Sequence, residues 1–400
     1  MRQWTCVLSF IAVAFCVSLD GQLTVAPPGA SRPVVPAVAR IAPVPEARWS
    51  DAQRQVAASF GRSGRPDAAF DTLVQVPALA EAVTPYTIYL SEGSTLPARH
   101  RALIALRAAW LCNSEVVWAT HAERARAAGV QPAELRRVAE GPAAPGWDRL
   151  EATLLQMADE LFRNSSVSGA TWAALDAAYD EHQLMDAVET ANHFTMLSMM
   201  FNAFGVQPDA ASRDRLPTGV PYRVNVPVAE PPLAVARVQP VPGDGLAVSR
   251  TLARHPKLSQ ARARRANFIN RVSKLSPRHR EMLILRIGWI CRSEYEWAQH
   301  VGSVGRARDH GLEPIWIAQG AEAAGWDGFE RTILRAVDEL FHDTGISDAT
   351  WTALAARYDT ELLMSAVFTA SSYRATSMVL NALGVQLDPG DERFPKLSAR

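Results

Sequence analysis

The sequence predicts an all-α protein made of two tandem copies of one helical bundle, packed on each other as an approximately twofold fused dimer. The repeat is visible directly. The segment SPRHREMLILRIGWICRSEYEWAQH, Ser276 to His300, has an earlier counterpart in LPARHRALIALRAAWLCNSEVVWATH, Leu96 to His121. Arg101 and Arg280, Arg107 and Arg286, Trp110 and Trp289, Ser114 and Ser293, and His121 and His300 each stand 179 residues apart. One offset shared by so many uncommon residues means one unit occurring twice. The fold class follows from spacing: Leu155, Ala158, Leu161 and Phe162 recur as Leu334, Val337, Leu340 and Phe341, one face of a helix, and neither copy shows an alternating strand pattern.

In chain order, residues 1–26 have the layout of a signal peptide: Arg2, an apolar run from Trp4 to Leu19 broken only by Thr5, Ser9 and Ser18, then Asp20. The run is shorter than the roughly 20 residues of a membrane span, so export to a periplasmic or secreted location is expected, with no stable span after processing. An uncleaved anchor or a cytoplasmic chain is the alternative. Residues 27–48 are a proline-rich, extended spacer. The first copy covers 49–207, a proline- and valine-rich connector covers 208–245, and the second copy covers 246–388. Residues 72–79, TLVQVPAL, match TLARHPKL at 251–258.

Pro97 and Pro277 suit a helix's first turn, and Ser168 and Ser347 suit N-caps. The last long helix of each copy is expected from near His182 or Glu361 to Gly205 or Gly384, glycines placed for a left-handed cap. Ordinary helix lengths give six or seven helices per copy. Only one register change separates the copies: His300 to Gly311 is three residues longer than His121 to Gly129.

Lys plus Arg and Asp plus Glu both total 41, so the chain has no basic surplus for a phosphate backbone, and nucleic acid is not an expected partner. The four cysteines form no CxxC and no Cys/His cluster, which removes a zinc site and a thioredoxin-like pair. Cys112 and Cys291 read as buried free thiols.

What both copies keep reads as framework. Trp118 and Trp297, Trp147 and Trp326, and Trp172 and Trp351 are core fillers, although Trp297 is also a candidate for lining a site. Arg107 and Arg286 sit in apolar helices and are expected to pair with Asp159 or Glu160 and with Asp338 or Glu339; substrate-carboxylate binding by Arg286 is the other reading. What the copies do not share is more informative. Glu281 stands opposite Ala102, Tyr295 opposite Val116, Glu296 opposite Val117, and Tyr373 opposite Phe194. Glu296 and His300 are four apart, so they share a helix face. Ser293 and Glu296 also form a capping-box pattern, which competes for the same carboxylate. A metal on Glu296 and His300 would lack a third ligand, and no cofactor is expected.

The patterns LRxxWxCxSExxWxxH, DEL, TWxAL and SMxxNAxGVQ make both copies resemble the carboxymuconolactone decarboxylase and alkylhydroperoxidase D-like superfamily, over about Trp49–Gln207 and Thr251–Gln386. The resemblance implies all-α subunits that pair or form rings, so a tandem chain resembles a fused dimer, and a homo-oligomer is possible. The peroxidase branch uses a glutamate, a CxxC pair and a histidine. Here Glu281 precedes His300 by 19 residues, but Ser293 and Glu296 in copy two, and Ser114 and Val117 in copy one, hold the thiol positions. The decarboxylase branch works through acid and base groups around a helix-borne histidine without a cofactor.

The expectation is therefore acid/base chemistry in copy two, decarboxylation or isomerisation of a small organic acid or lactone. His300 is the acid or base, Glu281 its partner, and Glu296 and Tyr295 position it; Arg286, Trp297 and Tyr373 contact the substrate. Copy one is expected to be degenerate, with a small, apolar or filled space beside His121. A non-catalytic binding or scaffold protein of the same fold is the competing class, and peroxidase activity the third.

Overall fold

The computed structural model describes residues 32–397 apart from 63, 65 and 66, together with the backbone of two antiparallel two-residue strands, Cys16–Val17 and Leu23–Thr24. The rest of the signal-peptide-like segment and residues 27–31 of the spacer lie outside the described residues. Among the described residues no helix is long and apolar enough to cross a membrane.

Copy one consists of α1 (Asp51–Ser59), α2 (Ala68–Leu73), α3 (Pro77–Ile88), α4 (Ala98–Leu111), α5 (Glu115–Ala127), α6 (Pro132–Glu140), α7 (Arg149–Asn164), α8 (Gly169–Asp176) and α9 (Glu181–Phe204). Copy two consists of α10 (Ala247–Leu252), α11 (Pro256–Asn267), α12 (Pro277–Ile290), α13 (Glu294–Val301), α14 (Pro314–Gln319), α15 (Gly328–Asp343), α16 (Asp348–Ala355) and α17 (Thr360–Leu383). Helices α10, α11, α12, α15, α16 and α17 lie at the predicted offset from α2, α3, α4, α7, α8 and α9. The helix count exceeds the expected six or seven because α1, α2 and α10 are too short to display a period. Pro277 is the first residue of α12, whereas Pro97 caps α4 from just outside.

The caps behave as their chemistry dictates. Ser168 and Ser347 accept the N–H groups of Thr171 and Thr350. Gly205 and Gly384 end α9 and α17 at φ of 67° and 70°, where a side chain would be strained.

The copies are not beads on a connector. Helices α9 and α17 pack along each other, and most residues of both are buried. Asn202 on α9 donates to Cys112 O of its own copy and to Thr344 O of the other; Asn381 on α17 donates to Cys291 O of its own copy and to Ser165 O of the other. These residues correspond pair by pair.

The spacer and the connector need correction, because each ends in a structured strap that serves a copy. VARIAPVP (38–45) and VARVQPVP (235–242) are equivalents, 197 residues apart. Arg40 and Ile41 N–H donate to Phe204 O, and Arg237 and Val238 N–H donate to Leu383 O. The Arg40 guanidinium donates to Ala203 O and Ile346 O and lies over Trp351; the Arg237 guanidinium donates to Ala382 O and Val167 O and lies over Trp172. Each strap therefore holds the end of one copy's last helix to the turn before α16 or α8 of the other. Hydrogen bonds from a charged donor contribute about 1.5–3 kcal/mol each at most in such settings. Arg40→Ala and Arg237→Ala should each lower the unfolding free energy by roughly that amount in a urea titration. Unfolding curves unchanged in both variants would show that the straps are not clamps.

Candidate active site

Two helices bring the copy-two candidates together. Helix α12 carries Arg280 and Glu281 in its first turns, and α13 carries Glu296 and His300 on one face, one turn apart. A tight reversal at Arg292, φ 55°, with Ser293 N–H donating to Gly288 O, folds α13 back on α12. His300 Nδ1 then lies 2.6 Å from Glu281 Oε2 and its Nε2 lies 2.9 Å from Glu296 Oε1. Arg280 Nε donates to the other Glu281 oxygen at 3.0 Å, and the Tyr373 ring meets the imidazole edge-on at 5.0 Å. Glu281, Glu296 and His300 are 1%, 6% and 3% exposed, so the cluster is shielded from bulk water.

The three-residue extension after His300 has a place in this arrangement. It carries Gly305, where a Cβ would collide with Glu281 Oε2 and with the His300 backbone, so the loop closes over the pair only as glycine.

Burial opposes charge on His300, but Glu281 and then Glu296 outweigh it and push its pKa up to about 10. Burial likewise opposes the Glu281 carboxylate, and His300, followed by Arg280, still holds it below the usual range. The Tyr373 phenol is driven upward by burial, then by Glu296 and Glu281, and stays protonated. Two carboxylates against one imidazolium and one guanidinium leave the cluster without net charge.

Several expected residues go elsewhere. Tyr295 accepts the Val248 N–H at 3.1 Å and packs with Ala247 and Leu380, so it anchors the start of α10 and is not joined to the histidine. The capping box does not form: Glu296 turns to His300, and Ser293 Oγ is buried with no hydrogen-bond partner among the described residues. A buried imidazolium outbids a backbone N–H for the carboxylate. Arg286 donates through Nε and Nη2 to Asp338 and through Nη1 to Ile317 O and Ala318 O, as Arg107 does with Asp159, Val138 O and Ala139 O. The structural pairing accounts for its donors. Trp297 is fully buried against Trp289 and Phe394 as a core filler.

Copy one has the largely apolar space expected beside His121, but that space is open. His121 makes no hydrogen bond among the described residues, and burial, then Arg124, drive its pKa well below the ordinary value, so it is neutral. Phe194 packs edge-on against it at 4.1 Å. The space beside it is neither small nor filled: a cavity of about 330 Å³ is lined by His121, Arg101, Ala102, Arg124 and Phe194 among others. A larger open groove, about 710 Å³, lies apart from both histidines, over the Arg107–Asp159 pair.

Sequence reasoning missed Arg280, Gly305 and a buried group at the junction of the copies. There Glu189 on α9 accepts from Tyr86 Oη at 2.6 Å and from Arg262 Nη1 at 2.7 Å, with Arg265 over the Tyr86 ring. Arg262 and Arg265 occupy the places of Val83 and Tyr86, so the same comparison of copies that found Glu281 would have found them.

Residues 77–160 match the carboxymuconolactone decarboxylase family model. No curated protein matches the chain. Two solved structures are similar to it. An uncharacterized peroxidase-related protein from Silicibacter sp. TM1040 is 15% identical, with 47% of this chain and 97% of that one covered and a TM-score of 0.38. An alkylhydroperoxidase AhpD core protein, an uncharacterized peroxidase-related protein from Ralstonia eutropha JMP134, is 21% identical, with 44% and 95% covered and a TM-score of 0.39.

The raised pKa has a consequence for stability with a definite sign. A group whose pKa rises on folding contributes stability in full below its unfolded value, near 6.5, and loses it as pH climbs towards the folded value of about 10. The unfolding free energy should therefore fall across that window more steeply in the native protein than in His300→Gln. Parallel pH profiles would show that the imidazole is not charged in the folded chain.

Proposed function

We propose that copy two catalyses cofactor-independent proton transfer on a small organic acid or lactone, of the decarboxylation or isomerisation type. The observation that supports it is the continuous Glu281–His300–Glu296 chain, at 2.6 and 2.9 Å. Both nitrogens of His300 are engaged, so the ring acts as a relay and Glu296 is the group that meets the substrate. In an isomerisation the Glu296 carboxylate takes a proton from the carbon next to the substrate carbonyl and returns it at the conjugated position. In a decarboxylation the carbon–carbon bond breaks, carbon dioxide leaves, and the electron pair left on the substrate is protonated by Glu296. The proton comes from His300 Nε2, and Glu281 stabilises the ring in either charge state.

A scaffold or binding role is the second reading, and the closure of the cluster favours it: a charge-neutral group with no free ring nitrogen also describes a buried structural network. Thiol peroxidase chemistry is poorly served by the described cysteines. Cys112 and Cys291 are fully buried, and burial pushes their thiols up to about 12 and about 11, far from the thiolate that would attack peroxide.

The test is exchange of acidic C–H protons and loss of carbon dioxide from a panel of small lactones and unsaturated acids in deuterated water, followed by NMR. Glu296→Gln and His300→Gln should each slow turnover by about 10²–10⁴ while the fold is kept, and Cys112→Ala with Cys291→Ala should leave it unchanged. Turnover that survives in Glu296→Gln, or that disappears with the thiols, would sink the relay; folded protein inert to the whole panel would favour the scaffold.

A further inference from the structure

The two copies treat one carboxylate differently. In copy two the Glu281 carboxylate bridges two donors, Arg280 Nε at 3.0 Å and His300 Nδ1 at 2.6 Å. Copy one keeps both donors as Arg101 and His121 but has Ala102 where the glutamate would be. The consequence is visible in three places. Arg101 Nε is buried with no hydrogen-bond partner among the described residues, while Nη1 alone ties the guanidinium down, to Ser94 O and Leu96 O. His121 is buried with no hydrogen bond among the described residues. Between them lies the cavity of about 330 Å³, whose walls include Ala102, Leu90 and Phe194.

A donor without an acceptor in a buried site is destabilising, and a guanidinium pairs strongly with a carboxylate. Charge at the rim agrees: Arg101 and Arg124 face the cavity against the single carboxylate of Glu92, which is engaged with Arg124 at 3.1 Å.

We propose that copy one binds a small monocarboxylate whose carboxylate takes the place of the Glu281 side chain, between the Arg101 guanidinium and the His121 imidazole. Its carbon body lies against Phe194, Leu90 and Ala102. Ala102 and Val117 leave no carboxylate on this histidine to move a proton, so the site binds without reacting. It stands independently of the chemistry assigned to copy two, because its readout is binding.

Calorimetric titration of the full chain with propionate tests it, with propionamide as the uncharged isostere. Propionate should bind at one site with a Kd of about 1 mM or tighter, given the affinity that so few atoms can reach, and propionamide should bind at least about tenfold more weakly. Ala102→Glu should rebuild the copy-two arrangement and abolish the binding. Arg101→Gln should weaken it about tenfold or more, and carries the test if Ala102→Glu does not fold. Equal binding of propionamide, undiminished binding by a folded Ala102→Glu or by Arg101→Gln, or no saturable binding at all, would each overturn the proposal.

Discussion

The structure depends on burying α9 and α17 against each other. Each has 24 residues and is therefore roughly 36 Å long, and each is buried on nearly every side. A helix of that kind needs neighbours all round. Its own copy supplies α4, α5 and α7, or α12, α13 and α15, and the remaining side is covered chiefly by the other copy's last helix. One bundle alone would leave Met196, Met199, Met378 and their neighbours facing water. Duplication within one chain makes the second layer unconditional, where separate subunits would depend on concentration.

Burial on that scale constrains every polar group at the junction. Asn202 and Asn381 satisfy carbonyls left over at helix ends in both copies, and they can do so because each helix ends where the other copy's α7 or α15 ends. Arg374 solves the same problem without repetition. It donates to Phe162 O at 2.9 Å and to Phe341 O at 3.0 Å, equivalent carbonyls of the two copies, with its guanidinium over both rings. A second arginine at the matching place would crowd and repel the first, and Thr195 stands there instead. Departures from repetition are thus expected where equivalent residues converge.

The offset of 179 residues made most of the fold legible, since it marked the helices, their caps and the paired arginines without any structural knowledge. The straps escaped because their offset is 197; the 18 extra residues correspond to α1 and its flanks, which copy two lacks. The site was legible only in part. Glu281 and His300 could be joined from spacing and unlike partners, but the direction of Glu296 depended on which of two acceptable donors held it. Local pattern favoured the cap, and burial of an imidazolium decided for the histidine. Tyr295 was misjudged for a related reason: its hydroxyl was satisfied by a backbone N–H on α10, a partner distant in sequence. The apolar walls of the copy-one cavity were legible in Ala102 and Phe194, but its volume was not, because volume follows from how neighbours close in.

The two histidines show why such residues change in sets. A buried imidazolium without an anion, or a buried carboxylate without a cation, costs several kcal/mol, so neither charge persists alone. In copy two Glu281, Glu296, His300 and Arg280 balance. In copy one Ala102 and Val117 remove both anions together, and His121 answers by giving up its proton, which leaves Arg101 with the carboxylates of Asp186 and Glu92 but none between it and the histidine. The arginine cannot deprotonate at any ordinary pH. Its Nη1 is held by backbone carbonyls, its Nε is buried without an acceptor among the described residues, and the residue lines the copy-one cavity. The remaining positive charge, not the histidine, is what makes the copy-one cavity a place for an anion.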